Sequence, residues 1–113
     1  MKYLLLIYAP QTADATPDEA MHREYMQFTQ DIVESGEMLG GDALQSVDTA
    51  TSVKVRDGKR STTDGPFAET KEVLGGYYYV DVKDLDRAIE LAGKIPGARQ
   101  GTIEVRPVLE LGG

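Results

Sequence analysis

The sequence contains no cysteine, no tryptophan and a single histidine. Without thiols there are no disulfides, no thiolate metal ligands and no Cys nucleophile. One histidine, His22, excludes a multi-His zinc site. Positive charge is scarce, with 12 Lys and Arg against 19 Asp and Glu, a net charge of −7. Such a surface repels phosphate backbones and disfavours a broad nucleic-acid-binding face. Long hydrophobic runs are also missing. The apolar stretch from Tyr3 to Ala9 is far below the ~20 residues that cross a bilayer. It stops at Pro10 without the small-residue pattern of a signal-peptide cleavage site, so it reads as a buried strand and no membrane association is expected. No P-loop, dinucleotide fingerprint, Ser-His-Asp order or metal motif is present, so no cofactor and no metal are expected. With no Cys and no export signal, a cytoplasmic location is the expectation.

What is present is the composition of an ordinary globular chain: 113 residues, 41% apolar and 27% charged. That is one domain over residues 1–113, long enough to bury a core. Punctuation along the chain orders its elements. Met1 to Ala9 is a strand. Thr16 as N-cap, Pro17 at the first helical position and Glu19 completing a capping box open a helix. Met21, Tyr25, Phe28 and Ile32 form its apolar stripe and Gly36 stops it. Met38 to Leu44 is a strand, with Gly40-Gly41 marking a bulge. Val53 to Asp57 alternates as a half-buried strand, Asp57-Gly58 is a two-residue hairpin turn, and Lys59 to Thr63 returns. Asp64 to Lys71 is a loop and Val73 to Val82 a β-prone run holding Tyr77, Tyr78 and Tyr79. Asp84 caps a second helix with Leu85, Ala88, Ile89 and Ala92 on one face, closed by Pro96-Gly97. Thr102 to Leu111 is the last strand.

The order β-α-β-hairpin-β-α-β is an α+β, ferredoxin-like split βαβ with an added hairpin. Two helices cover one face of such a sheet. Yet the first strand is apolar on both faces, Leu4, Leu6 and Tyr8 pointing one way and Tyr3, Leu5 and Ile7 the other. A second copy, sheet against sheet, is the economical cover, and a homodimer is expected.

The stretch Asp64-Gly65-Pro66-Phe67-Ala68-Glu69-Thr70-Lys71-Glu72 resembles the DGPF signature of DGPF-domain proteins, a branch of the YCII-related family. Asp57-Gly58, Leu74-Gly75-Gly76-Tyr77-Tyr78, Ala88-Ile89, Ile95-Pro96 and Gly101 to Pro107 resemble it too, so the resemblance spans nearly the whole chain. It implies a dimeric α+β barrel. Related barrels include muconolactone isomerase and antibiotic-synthesis monooxygenases, which hold ligands in the cleft between helices and sheet. For other YCII-related proteins a His-Asp pair has been suggested as catalytic. Its helix register, counted back from Gly36, falls at Tyr25 here, with His22 nearly one turn earlier, so the pair is not carried over. DGPF-type proteins are also found encoded beside sigma factors of the extracytoplasmic-function type, and some carry a transcription-initiation label for that reason.

Candidate site residues follow from chemistry. Asp64, Glu69 or Glu72 would serve as a general base if burial or a like charge raised its pKa. The competing reading of this segment is a loop whose Pro and Gly set backbone geometry while Phe67 plugs a gap. Histidine is the side chain suited to acid or base work near neutral pH, and His22 sits at the edge of the apolar stripe, either as an acid or base or as an exposed helix residue. Asp42 is a further candidate carboxylate. Tyr25, Phe67, Glu69 and Arg106 are candidate ligand contacts, Arg106 having as its alternative a partner Glu at a dimer surface. Two functional readings result. One is a small-molecule-binding protein or cofactor-independent enzyme with its cleft between the first helix and the sheet. The other is an accessory protein of sigma-factor regulation acting through protein contacts. A third, a structural module without a ligand, requires that cleft to be occluded.

Overall fold

The computed structural model describes residues 1–10, 19–68 and 70–111. The strands are β1 (Lys2–Pro10), β2 (Met38–Ala43), β3 (Thr51–Arg56), β4 (Lys59–Asp64), β5 (Glu72–Asp81) and β6 (Thr102–Pro107). The helices are α1 (Glu19–Glu34) and α2 (Leu85–Lys94), with short 3₁₀ turns at Val47–Thr49 and Pro96–Arg99. A four-stranded sheet runs in the order β2-β5-β1-β6, each neighbouring pair antiparallel. Thus β1-α1-β2 straddles β5 and β5-α2-β6 straddles β1, the two interlocked split βαβ units of a ferredoxin-like α+β fold. Strands β3 and β4 form a separate two-stranded sheet.

Strand periodicity decides the two faces. On β1, Tyr3 and Leu5 are buried and Ile7 packs against them; on β5, Tyr78, Val80 and Val82 at the strand's end are buried. They meet Phe28 and Ile32 of α1 and Ala88, Leu91 and Ala92 of α2, with Ile95 closing the cluster. Each such large apolar side chain contributes about 1.5–3 kcal/mol when fully buried. The Phe28 and Tyr78 rings meet edge to face at 5.0 Å, and the Tyr78 hydroxyl lies 2.8 Å from Thr29 Oγ1. Among the described residues the helix–sheet layer is therefore core.

Local signals act as read. Gly36 takes φ +80°. The Gly36 N–H donates to Val33 and the Glu37 N–H to Ile32, the paired bonds of a Schellman stop. The β3–β4 turn has positive φ at both Asp57 and Gly58, as a type I′ hairpin requires. Asp84 accepts the Arg87 N–H at 2.9 Å and caps α2. The β2 register slips between Met38 and Gly40, the bulge expected beside Gly40-Gly41. The expected cap at Thr16 and Pro17 lies outside the described residues.

Two expectations are corrected. The buried face of α2 is Ala88, Leu91 and Ala92, while Leu85 and Ile89 are exposed. Leu91 and Ile89 lie about 160° apart at 3.6 residues per turn, so one arc cannot bury both. Strand β6 ends at Pro107 rather than Leu111. Beyond it the Val108 N–H bonds back to β1, at the Lys2 carbonyl. Gly101, at the entry to β6, is required by space: a Cβ there would fall 2.0 Å from the Tyr8 carbonyl oxygen.

Candidate functional site

Among the described residues, no helix or strand covers the face of the sheet turned away from the helices. Strand register arranges it in rows. Tyr79, Leu4 and Arg106 lie side by side, then Asp42, Tyr77, Leu6 and Glu104, then Leu74, Tyr8 and Thr102. Leu4, Leu6, Tyr8, Leu74, Tyr77 and Tyr79 are half-buried, so the floor is apolar and aromatic. The run that reads as buried on both faces is in this chain fully buried only on the helix side.

Each edge of this floor carries a polar pair. On the β2 edge the Tyr77 hydroxyl donates to Asp42 Oδ2 at 3.1 Å. That bond and the carboxylate charge raise the Tyr77 pKa, so the phenol stays protonated and the carboxylate keeps its acceptor role. On the β6 edge Arg106 Nη2 lies 2.8 Å from Glu104 Oε2. The approach is close but off-axis, and Glu104 Oε2, itself out of solvent, receives no aligned hydrogen bond. An apolar floor between a phenol–carboxylate pair and a guanidinium–carboxylate pair suits another sheet face or an amphipathic small molecule.

The sequence candidates fall on different parts of the chain. Asp42 and Arg106 sit on the open face. Tyr25 is on α1, on the far side of the sheet, where its hydroxyl accepts the Gly97 N–H at 3.0 Å. Burial, partly offset by that bond, raises its pKa. Tyr25 thus ties α1 to the turn after α2. His22 is exposed on α1. Asp64 ends β4, exposed, and Phe67 in the following corner is 83% exposed. Among the described residues Phe67 therefore plugs no gap. Glu69 lies outside the described residues; Glu72 begins β5, half-buried. Asp42 and Tyr25 are separated by the sheet, and Asp64 stands on the hairpin, so one chain does not gather these groups.

Sequence reasoning missed a further polar cluster. Glu37, after α1, accepts Arg87 Nε at 2.9 Å and Arg87 Nη2 at 2.8 Å, and Ser35 Oγ at 2.7 Å. Arg87 Nη1 also reaches Glu90 Oε1 at 2.6 Å. The guanidinium holds the Glu37 carboxyl at about 2, well below its ordinary value. These groups line an open depression with Asp81 and Asp84. Their polar atoms are already committed: Asp84 to the α2 cap, Asp81 to the Met1 α-amino group and Glu37 to Arg87. The depression reads as a structural joint. Among the described residues no group of three or more His, Asp or Glu is arranged to hold a metal ion, and no helix is long and apolar enough to cross a membrane.

The chain is similar to the uncharacterized protein R00369 of Rhizobium meliloti (strain 1021), 33% identical over 116 residues that cover 96% of this chain and 92% of that protein. The model of the YCII-related domain matches residues 1–112. The chain therefore belongs to the YCII-related domain family.

Proposed function

We propose that this protein works as a homodimer closed through the open sheet faces, and that it binds a small amphipathic molecule at the edge of that closure. The observation that carries the reading is the uncovered floor of Leu4, Leu6, Tyr8, Leu74, Tyr77 and Tyr79, flanked by Asp42–Tyr77 and Glu104–Arg106. Apolar surface of this kind lowers its free energy by leaving water, at roughly 25 cal/mol per Å². A twofold pair lets the same patch serve on both partners. In a proton-transfer enzyme built this way, Asp42 accepts the proton and Tyr77 orients the carboxylate. The test is native mass spectrometry of gently purified protein. A dimer carrying a small adduct, lost in Asp42→Asn, supports the reading; a bare monomer overturns it.

A second reading, an accessory role in sigma-factor regulation through protein contacts, is favoured by the outer helix surfaces. There Met26 and Val33 of α1 and Leu85 and Ile89 of α2 are exposed. Capture of a sigma factor by wild type and not by Ile89→Glu would support it.

A further inference from the structure

We infer that the β3–β4 hairpin, with the corner at Phe67, is an exchange arm that each copy lays on the body of a second copy. The inference rests on the dimer reading above and adds to it: the sheet faces meet, and the arms grip.

Among the described residues the arm has no cover of its own. Every residue of β3 and β4 except Ser52 is exposed. A lone two-stranded hairpin is marginally stable at best in water and persists by packing on something. Cross-strand register gives this hairpin two faces. One carries Val53 opposite Thr62 and Val55 opposite Arg60. Its valines are 57% and 58% exposed. The other carries Lys54, Arg56 and Lys59. Its base is pinned, Gly65 N–H donating to the Ala50 carbonyl at 2.6 Å and Ser52 Oγ to the Gly65 carbonyl at 2.8 Å. That pinning sets the corner from which Phe67 projects, 83% exposed.

Charge and area identify the occupant. Residues 51–64 hold four of the chain's 12 cationic side chains against Asp57 and Asp64, a net +2, which leaves −9 on the rest. A basic arm with an apolar ridge complements an acidic body, and the nearest source of that body is another copy of this chain. The chain exposes 8179 Å², whereas a compact monomer of 12.3 kDa exposes about 6,100 Å². The excess is roughly 2,000 Å² per chain, or about 4,000 Å² per pair, within the range that obligate homodimers bury. The Cα radius of gyration is 15.9 Å, against about 13 Å for a compact chain of this length.

The test uses the full chain, with Val53→Thr, Val55→Thr and Phe67→Ala combined, so that strand propensity is kept while the apolar ridge is removed. Sedimentation velocity over a dilution series should give a dimer for wild type and at least about a tenfold weaker dimer for the variant, a factor equal to 1.4 kcal/mol. Hydrogen exchange on wild type supplies a readout that does not depend on the variant's folding. Amides of residues 51–68 should gain protection with dimerisation. A wild-type dimer whose affinity is unchanged by the triple variant, or whose arm amides exchange equally in monomer and dimer, overturns the arm and leaves the sheet-face dimer standing. A wild type that stays monomeric at high concentration overturns both.

Discussion

Glu37→Gln tests the joint between the two helical halves of the fold. The carboxylate takes two parallel bonds from Arg87 and one from Ser35, and so ties the start of β2 to α2. With a folded-state pKa of about 2 against an ordinary 4.5, linkage sets an upper bound of about 3 kcal/mol. Side chains 26% and 16% exposed are partly screened by solvent, which brings the expected loss to about 1–2 kcal/mol. The raised pKa of Arg87 reports the same contact and adds nothing further. For 113 residues the loss corresponds to roughly 4–8 °C in Tm. Because the folded-state pKa is depressed, the contribution is fully present above the ordinary carboxylate value. It is lost as pH falls from 4.5 toward 2. Urea unfolding of both proteins, at one fixed protein concentration because dimerisation shifts apparent stability, should therefore show a gap at pH 7 that narrows by pH 3. Equal midpoints at pH 7, or a gap of constant size down to pH 3, would refute the reasoning. The joint also bears on function, since β2 carries Asp42 at the edge of the open face.

Gly101→Ala should cost more than ~3 kcal/mol, because the new methyl would fall 2.0 Å from the Tyr8 carbonyl oxygen and part β6 from β1; thermal unfolding would show it, and a near-neutral result would contradict the close approach. Tyr25→Phe leaves the Gly97 N–H without its acceptor and should lower stability by about 1–2 kcal/mol without changing any adduct seen in native mass spectrometry, which separates a structural tie from a ligand contact. Asp84→Ala removes the α2 cap and should cost about 1 kcal/mol in chemical denaturation, with Asp84→Asn recovering most of it.

The features legible in the sequence are those decided within a few residues. Gly36 needs a left-handed backbone, Asp57-Gly58 needs two positive φ values and Asp84 needs only the N–H three residues on. Each carries its cause in its own neighbourhood. The split βαβ order of elements was legible too, since apolar strands alternate with two amphipathic helices along the chain. What escaped reading joins distant segments. Glu37 and Arg87 are 50 residues apart, and Tyr25 and Gly97 are 72. No local pattern pairs them. The buried arc of α2 was misplaced because Leu85, Ile89 and Leu91 are equally apolar in composition, and only packing on β1 and β6 chooses among them. Phe67 carried two readings, a plug for a gap and a ligand contact, and among the described residues it stands 83% exposed.

These separations argue for where chemistry can occur. Phe28, Ile32 and Tyr78 fill the layer between α1 and the sheet, and the Tyr25 hydroxyl is held by a backbone N–H. A ligand entering there would have to displace core side chains worth several kcal/mol together. The open face asks for no such displacement. Its Asp42 carboxylate already has an orienting donor in Tyr77, at the margin of an apolar floor. Under the dimer proposal, closing a second sheet over that floor excludes water from around the carboxylate and strengthens its interaction with a bound molecule. Under the exchange-arm proposal, the Asp64–Phe67 corner lies on the neighbouring copy. A distinctive polar segment placed far from its own chain's core then has an ordinary physical reason to be there: its contacts belong to the pair.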